Sequence, residues 1–392
     1  MTDAPEKRAI LSGIGISRIG RRTGIPGVEL TVEAARQALA DAGLTAADVD
    51  GMATMGDVPL ADAAHALGVG ELRFRGGGFD TAGLLSPVMS ACLAVAEGRA
   101  RHVLVYRTIQ MLGGTMLQGA RGTPGPLDPA QLRLASVMGD MSALLAVHAY
   151  SAANWLAMHC RRHMELYGTT REQLGWLAIN SRRNAALNPL AAYRAPLTMD
   201  EYLGARVVSS PFGLLDCDVP VDGSIAVVVS REDFARDCPS RPVRVAAMGG
   251  AGKALPGWVD RPDYPKMASV EAAAEMWSRT DLKPADVDLA ELYDGFTFLT
   301  FAWLEALGLC KDGEAGPFVA GGKRIALDGE LPLNTYGGQL SAGRMHGYWV
   351  LHEACLQLRG EAGERQVARR PEVAVVAAGG GPIAGCMLLT CG

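Results

Sequence analysis

Three glycine-rich turns in the C-terminal part of the chain hold the side chains best suited to catalysis. They span residues 291–297, 334–348 and 379–381, and together they offer a phenol, a carboxyl, a guanidinium and an imidazole. Groups of this kind transfer protons and stabilise developing negative charge. In parallel α/β sheets, ligands bind outside the carboxyl ends of the strands, where such turns lie. The three turns therefore predict one shared active site.

The glycine triplet at residues 379–381 is open to two interpretations. Glycine allows a backbone to come close to a ligand and to offer N–H groups to a developing oxyanion. A glycine-rich turn also packs tightly without binding anything. The position of the triplet beside the other two turns favours an oxyanion or thioester site at Gly379, Gly380 and Gly381.

A second cluster has the residue types of a metal site. His159, Cys160 and His163 fall within about one turn of a predicted helix. Arg161 and Arg162 lie between them, and no second pair of ligands has suitable spacing. We therefore expect a solvated helix face here, and we predict no metal in this chain.

An internal repeat in the sequence indicates which elements position the turns. The segments 31–35 and 44–50 recur as 269–273 and 282–288, so that Val32 matches Val270 and Asp50 matches Asp288 at a constant offset of 238 residues. This period is far longer than the roughly 20–50 residues of a solenoid repeat. The repeat predicts two homologous α/β halves folded side by side.

Apolar runs at residues 9–15 and 243–249 predict a strand at the start of each half, and those at 102–105 and 373–376 predict buried parallel strands. We expect a first half at residues 1–240 and a second half at residues 241–392. The first half contains an insertion of about residues 109–206 that the second half lacks. The sequence of this insertion predicts a helix over residues 147–167 and a second helix that begins at Thr170. Insertions of this kind commonly cover a binding site.

Composition excludes several classes of function. The chain has 392 residues, 49% of them hydrophobic and 20% charged, which is typical of a globular protein with a large core. A net charge of −5 argues against nucleic acid or an anionic membrane as the main partner. No stretch approaches the roughly 18 apolar residues that span a bilayer. The charged N-terminus and the eight cysteines without paired spacing predict a cytoplasmic protein.

The duplicated halves, the insertion and the three turns resemble the thiolase superfamily over almost the whole chain. The segments that carry the resemblance are 292–297, 305–315 and 332–340. They are most similar to the sterol carrier protein-type thiolases and the lipid-transfer proteins. The resemblance implies an α/β thiolase fold, with duplicated βαβαβ halves in a five-layered αβαβα arrangement and an inserted loop domain.

Thiolases use a nucleophilic cysteine, a second acid/base cysteine and a histidine. By resemblance, these positions hold Thr81, Ala377 and Arg344 in this chain. A hydroxyl cannot replace a thiolate, because its pKa is far higher. Acyl transfer through a covalent intermediate is therefore not expected.

The branch that lacks these cysteines resembles the aldolases that shorten steroid side chains. Those enzymes cleave a β-hydroxyacyl-CoA into a ketone and a shorter acyl-CoA. The resemblance implies the same retro-aldol reaction on a β-hydroxyacyl-CoA with a bulky, hydrophobic, steroid-like acyl group. Coenzyme A is then part of the substrate, and no other cofactor is expected.

Tyr293 resembles the catalytic tyrosine of these aldolases; a packing role is the alternative. An ordinary phenol has a pKa near 10, so we expect a nearby cation, Arg344, to lower it. Arg344 stands where these aldolases carry a second tyrosine, and Tyr348, about one helical turn further on, is the expected substitute.

His346 is either a second proton carrier or a hydrogen-bonded loop histidine. The other expected site residues are Asp294 for catalysis and, for the oxyanion, Thr81, Gly338, Gly379, Gly380 and Gly381.

The resemblance also implies a homodimer that binds a small partner protein with an OB fold and a zinc ribbon. Two other functions stay open. One is a non-catalytic scaffold that binds a CoA ester or a lipid, and the other is a degenerate acyltransferase that uses Thr81 or Cys92. Cys92 lies in a predicted buried helix, so we expect it to be a core residue.

Overall fold

The structure, a computed structural model, describes residues 4–55, 58–77, 82–111, 144, 146–251 and 258–391. Strands and helices alternate at first: β1 (Ala9–Ile16), α1 (Gly27–Asp41), β2 (Gly51–Thr54), α2 (Leu60–Leu67), β3 (Phe74–Gly77), α3 (Ser86–Ala96) and β4 (His102–Gln110). The inserted segment and its return follow: α4 (Ala152–Tyr167), α5 (Arg171–Ala186), α6 (Met199–Leu203), β5 (Val207–Ser209), β6 (Phe212–Gly213) and β7 (Asp222–Arg231).

The second half repeats the alternation of strands and helices. Its elements are β8 (Val243–Gly250), α7 (Ser269–Ser278), β9 (Leu289–Leu292), α8 (Thr297–Ala306), α9 (Ala315–Val319), α10 (Tyr348–Arg359), β10 (Val373–Gly380) and β11 (Ile383–Thr390). A five-residue π-helical turn, Gly338–Ala342, lies in the loop before α10. None of the helices that the structure describes is both long and apolar enough to cross a membrane.

Nine strands form one sheet in the order β3-β2-β4-β7-β1-β8-β11-β10-β9. The prediction of parallel strands is right on one side only. β4 is parallel to β2 but antiparallel to β7, and β10 is parallel to β9 but antiparallel to β11. Burial on both faces, which these strands share, produces an apolar run in either direction of pairing. The α/β class is as predicted, and the division of the chain at residue 240 stays a prediction.

The aspartate that recurs in the repeat accepts equivalent backbone hydrogen bonds in the two halves. The carboxylate of Asp50 accepts hydrogen bonds from the backbone N–H groups of Arg101 and His102, at 2.9 Å each, where β4 begins. The carboxylate of Asp288 accepts from the N–H groups of Glu372 and Val373, at 2.9 and 3.0 Å, where β10 begins. Each aspartate thus ties the start of its own strand to the start of the neighbouring parallel strand.

The close packing of strand on helix is also duplicated. A Cβ on Gly15 of β1 would lie 2.1 Å from the carbonyl oxygen of Ala34 in α1. A Cβ on Gly249 of β8 would lie 2.1 Å from the carbonyl oxygen of Ala272 in α7. In both halves the strand backbone touches the helix backbone, and only glycine leaves room for this contact.

One of the two predicted helices of the insertion, α5, begins where its capping signal predicts. Thr170 and Gln173 form a capping box at the start of α5: the Thr170 N–H donates to Gln173 Oε1 at 3.0 Å, and the Gln173 N–H donates to Thr170 Oγ1 at 3.4 Å. α4 starts at Ala152, five residues after the predicted start at 147.

The prediction that His159, Cys160 and His163 form a solvated face is wrong, since all three are at least 98% buried. At 3.6 residues per turn these positions share one side of the helix, and Arg161 and Arg162 occupy the other, solvated side. The ring nitrogens of His159 and His163 face oxygen atoms: the carbonyls of Trp258 and Pro265 for His159, and the side chains of Thr169 and Glu305 for His163. Among the described residues, no group of three or more His, Cys, Asp and Glu side chains has the arrangement of a metal site.

Candidate active site

Tyr293 is the first residue after β9, and its backbone N–H donates to the carbonyl of Ala377 on β10 at 2.9 Å. The side chain is 8% exposed. A Cβ on Gly295 would lie 3.2 Å from the phenol oxygen, so the ring folds back over a glycine that leaves it room. Burial raises the pKa of Tyr293 to about 12, although the charge of Arg344 lowers it. The expectation of a lowered pKa is therefore wrong: the phenol is protonated at neutral pH and suited to donating a proton.

Asp294 anchors the π-helical turn. Its carboxylate accepts hydrogen bonds from the backbone N–H groups of Gln339 at 2.8 Å and of Leu340 at 3.4 Å, and the residue is 1% exposed. A Cβ on Gly338 would lie 2.0 Å from Asp294 Oδ2, and Gly338 has φ 60°, so this position requires glycine. Burial raises the pKa of Asp294 to about 6 in spite of these donors. The geometry makes Asp294 and Gly338 a positioning pair.

A buried polar network holds the start of the loop 334–348 against β9. Asn334 adopts φ 49°, and its Oδ1 accepts from the Leu292 N–H at 2.7 Å. The Thr335 N–H and hydroxyl donate to Glu291 at 3.0 and 2.6 Å. Burial, with the neighbouring carboxylate of Glu353, raises the pKa of Glu291 well above its ordinary value. Glu291 therefore fixes the loop on the strand through its hydrogen bonds to Thr335.

Three asparagines of the inserted helix α5 hold the same loop from the other side. The side chains of Asn180 and Asn184 donate to the Leu333 carbonyl at 3.0 and 3.1 Å, and Asn188, just after the helix, donates to the Tyr336 carbonyl at 2.8 Å. Their spacing of four residues places them on one helix face. The insertion thus binds the backbone of the main loop of the site, and its role as a cover over a binding site stays a prediction.

Arg344 and Asp218 form an ion pair on the more open side of Tyr293. Arg344 Nε lies 3.3 Å from Asp218 Oδ2, with side chains 30% and 13% exposed. The Asp218 N–H donates to the Gly295 carbonyl at 3.1 Å, and the Arg344 N–H donates to the Val219 carbonyl at 2.8 Å. Burial raises the pKa of Asp218 to about 6, against the lowering effect of Arg344. The charge of Asp218 in turn raises the pKa of Tyr293.

His346 lies between two arginines. Its Nδ1 is 2.6 Å from Nη2 of Arg107, and its Nε2 is 2.6 Å from Nε of Arg344. Both arginine atoms are donors, and a neutral imidazole has one lone pair to offer, so only one contact is a full hydrogen bond. Burial and the two cations hold the pKa of His346 well below its ordinary value. His346 is therefore neutral, which favours the loop histidine over the proton carrier.

Tyr348 does not stand one helical turn from Arg344. The helix α10 begins at Tyr348, and Gly347 before it has φ 84°, so the two side chains are not neighbours on a helix. The Tyr348 side chain is fully buried. A catalytic role for Tyr348 stays a prediction without support from helical spacing.

The glycine triplet is part of a packed hairpin between β10 and β11, and its first two glycines, Gly379 and Gly380, belong to β10 itself. The Gly381 N–H points at the sulfur of Met267 at 3.0 Å, and a Cβ on Gly381 would lie 2.3 Å from the ring of Trp258. The Gly379 carbonyl accepts from Trp303 Nε1 at 3.1 Å. These contacts explain the glycines by packing, and the oxyanion role of the triplet stays a prediction.

Neither thiolase cysteine position contributes a described functional group to this site. Thr81 lies outside the described residues, and Ala377 is a buried residue of β10 without a functional group. Burial raises the pKa of all eight cysteines. Cys92 is fully buried in α3 with a pKa of about 12, so the prediction of a core residue is confirmed.

Three residues at the site were missed by sequence reasoning. Arg107 had a signal, a charged residue within the apolar run of β4, since such residues are rarely buried without a function or a partner. Asp218 and Gln339 had none, because only the fold brings the return of the insertion and the loop 334–348 beside Tyr293. Gln339 is 1% exposed and lies close enough to Tyr293 to lower its pKa.

The fold and the site define the class of protein. Residues 251–389 match the family described as thiolase C-terminal domain-like. The chain is 36% identical to the 17-hydroxy-3-oxo-4-pregnene-20-carboxyl-CoA lyase of Mycobacterium tuberculosis, over 97% of this chain and 99% of that protein. It is 34% identical to the steroid side-chain-cleaving aldolase of Thermomonospora curvata, over 97% of both. This chain belongs to the thiolase superfamily.

Within the superfamily, the chain groups with these side-chain-cleaving enzymes. A solved structure described as an Ltp2-ChsH2(DUF35) aldolase superposes with a TM-score of 0.87 and 32% identity, over 98% of both chains. The predicted thiolase fold and the predicted branch are thereby confirmed.

Proposed function

We propose that this protein is a carbon–carbon lyase that cleaves a β-hydroxyacyl-CoA by a retro-aldol reaction, with a bulky, steroid-like acyl group. One observation carries the proposal. The chain aligns over nearly its full length with a steroid carboxyl-CoA lyase and a steroid side-chain-cleaving aldolase, and its site presents a buried phenol while alanine occupies the second cysteine position of the thiolases.

The site supplies two of the needs of a retro-aldol step. The enolate that leaves must receive a proton on carbon, and Tyr293 is a protonated donor at neutral pH. The enolate oxygen carries negative charge, and the guanidinium groups of Arg107 and Arg344 provide positive potential around His346. Both cations act more strongly in a buried site than in water.

The acyltransferase alternative loses its support, because a reactive cysteine needs a lowered pKa and every cysteine here has a raised one. The proposal also includes a homodimer and a small partner with an OB fold and a zinc ribbon. A structural relative is itself described as a complex of two named components. A cytoplasmic location fits eight free cysteines.

The test is the Tyr293→Phe variant, assayed for ketone and shorter acyl-CoA from a steroid β-hydroxyacyl-CoA together with the partner protein of the native host. Loss of a positioned acid costs about 10²–10⁴-fold in rate, so we expect kcat to fall by that factor with KM little changed. The matched control is Tyr106→Phe, since Tyr106 is also a buried phenol but donates to the Val58 carbonyl on another face of the sheet.

Tyr106→Phe is expected to keep the wild-type rate. An unchanged rate in Tyr293→Phe removes the phenol from the mechanism. A wild-type protein that binds the CoA ester tightly but never cleaves it, with the partner present, supports the non-catalytic scaffold instead.

A further inference from the structure

A retro-aldol step needs a base for the β-hydroxyl proton, and most groups around Tyr293 are unsuited to that task. Arg107 and Arg344 remain protonated in proteins. Tyr293 holds its own proton, because its pKa is about 12. The site therefore has a proton donor and two cations, and the acceptor must be sought among the remaining titratable groups.

His346 is a poor acceptor although it is neutral. Each ring nitrogen faces a guanidinium donor at 2.6 Å, so its one lone pair is engaged whichever tautomer is present. A proton taken up by His346 would also create a third positive charge between two arginines. The same cations that hold its pKa well below the ordinary value oppose that step.

Two of the three nearby carboxyls are committed to structure. Asp294 accepts from two backbone N–H groups of the π-helical turn and is 1% exposed. Glu291 is fully buried and bonded to Thr335. Neither has a path to a substrate hydroxyl without dismantling the loop that it holds.

Asp218 differs from Asp294 and Glu291 both in its exposure and in the contacts of its carboxylate. Its side chain is 13% exposed, that of Arg344 is 30% exposed, and Asp218 Oδ2 lies 3.3 Å from Arg344 Nε. Its backbone N–H holds the Gly295 carbonyl, which fixes the residue beside the turn that carries Tyr293. Asp218 thus lies near enough to the phenol for its charge to raise the pKa of Tyr293, and its carboxylate is oriented by Arg344.

We propose that Asp218 is the general base of this site and takes the proton of the substrate β-hydroxyl. The proposal rests on the retro-aldol function proposed above. It explains how the chain works with Arg344, a group that cannot accept a proton, at the position where related aldolases are expected to carry a second tyrosine. Arg344 then has a positioning role, since it orients the Asp218 carboxylate through their ion pair.

Protons balance over the cycle. Asp218 takes the hydroxyl proton, the bond between the α- and β-carbons breaks, and its electron pair becomes the thioester enolate while the ketone forms. Tyr293 donates its proton to the α-carbon and becomes a phenolate. The proton on Asp218 then returns to the phenolate, which is downhill because the pKa values are about 6 and about 12. The net change is one proton moved from oxygen to carbon, and no oxidant or metal is needed.

The experiment compares wild type, Asp218→Asn and Asp218→Glu in kcat and KM between about pH 5 and about pH 8, with the same substrate and partner protein. A carboxyl base acts only when ionised, so wild-type kcat should rise as pH increases through about 6 and then level off. Asp218→Asn should lose about 10²–10⁴-fold in kcat on the wild-type plateau near pH 8. It should also lose the dependence on pH near 6, and Asp218→Glu should recover part of both.

Other groups face Asp218 and must be separated from it. Asp294 also has a pKa of about 6, Arg344 is always charged, and the pKa of His346 is held well below its ordinary value by burial and the two arginines. Asp294→Asn, whatever its rate, should keep the rise of kcat near pH 6. The matched control is Asp233→Asn, a surface aspartate paired with Arg231, which should keep the wild-type rate.

The outcomes separate the two proposals. A wild type that cleaves and an Asp218→Asn variant with wild-type kcat and pH profile overturn the base and leave the retro-aldol function standing. A lowered rate with the rise near pH 6 intact reduces Asp218 to a positioning residue and also overturns the proposal. A wild type that cleaves no β-hydroxyacyl-CoA overturns the function and the base together.

Discussion

β2 in the first half and β9 in the second half are two copies of one strand, 238 residues apart, but within the described part of the chain only β9 leads into the candidate site. Both run parallel to the strand beside them in the same register, since Gly51 pairs with Val103 and Leu289 pairs with Ala374. The residue that follows β2 is Met55, and the residue that follows β9 is Tyr293. The backbone is shared, and the side chain at the strand end has diverged.

The neighbour on the other side explains why chemistry arose in one copy. Beside β2 lies β3, with Met52 opposite Arg75. In the equivalent place beside β9, Ala290 makes a single parallel bridge to Leu333, and the chain continues into the loop 334–348. That loop is held by the asparagines of the inserted helix α5. The candidate site thus lies where the second half has the loop 334–348 in place of a strand equivalent to β3, and where α5 packs on that loop.

The largest effect that tests the shared scaffold comes from the duplicated glycines. Gly15→Ala and Gly249→Ala each place a Cβ 2.1 Å from a helix carbonyl oxygen, and neither backbone can move without shifting a strand. Overpacking of this kind costs about 1–3 kcal/mol. We expect both variants to lose stability by similar amounts in urea unfolding, at or above the upper end of that range.

The control for this pair is Gly70→Ala, where a Cβ would meet nothing within 4 Å. That variant should be as stable as wild type or slightly more so, because alanine reduces the freedom of the unfolded chain. If one glycine tolerates alanine and the other does not, the two halves are not packed equivalently and the comparison fails.

A smaller effect is expected from the duplicated aspartates. Asp50→Ala and Asp288→Ala each release two backbone N–H groups at the start of a strand. Because water reaches both sites, we expect each variant to lose only about 1 kcal/mol in the free energy of unfolding. Asp281→Ala, at an exposed position of the same half as Asp288, serves as the control and should unfold like wild type. A loss confined to one of the two aspartates would contradict their equivalent roles.

The duplication and the turns around Tyr293 were predictable because both are local patterns. The repeat is a run of matched residues, and glycines mark close approach wherever they stand. The pKa of Tyr293 was not predictable in direction, since it depends on how deeply the loop 334–348 buries the phenol. Asp218 and Arg107 were not predicted as site residues, because the contacts that define their roles are distant in sequence. Asp218 pairs with Arg344, 126 residues away, and Arg107 contacts His346, 239 residues away. No rule based on residue spacing predicts such contacts.

Arg107 marks one further difference between the halves. It lies five residues after the start of β4, and the equivalent residue of β10 is Ala378, so the first half supplies a cation to a site built by the second. Arg107→Gln removes one of the two cations against His346. We expect the pKa of His346 to rise in this variant, while burial keeps it below the ordinary value.

The pH dependence of stability gives the smallest and most specific readout of this difference. A histidine whose pKa is lowered in the folded state destabilises the fold as pH falls below the unfolded value of about 6.5, because the unfolded chain then gains a proton that the folded chain refuses. Wild type should therefore lose more stability than Arg107→Gln between about pH 7.5 and about pH 5.5 in urea unfolding. Asp218 and Asp294 titrate in the opposite sense, since their pKa values are raised to about 6, but neither pKa depends on Arg107. Their contribution cancels in the difference between the two proteins, and an identical loss in both would mean that the first half does not set the charge state of His346.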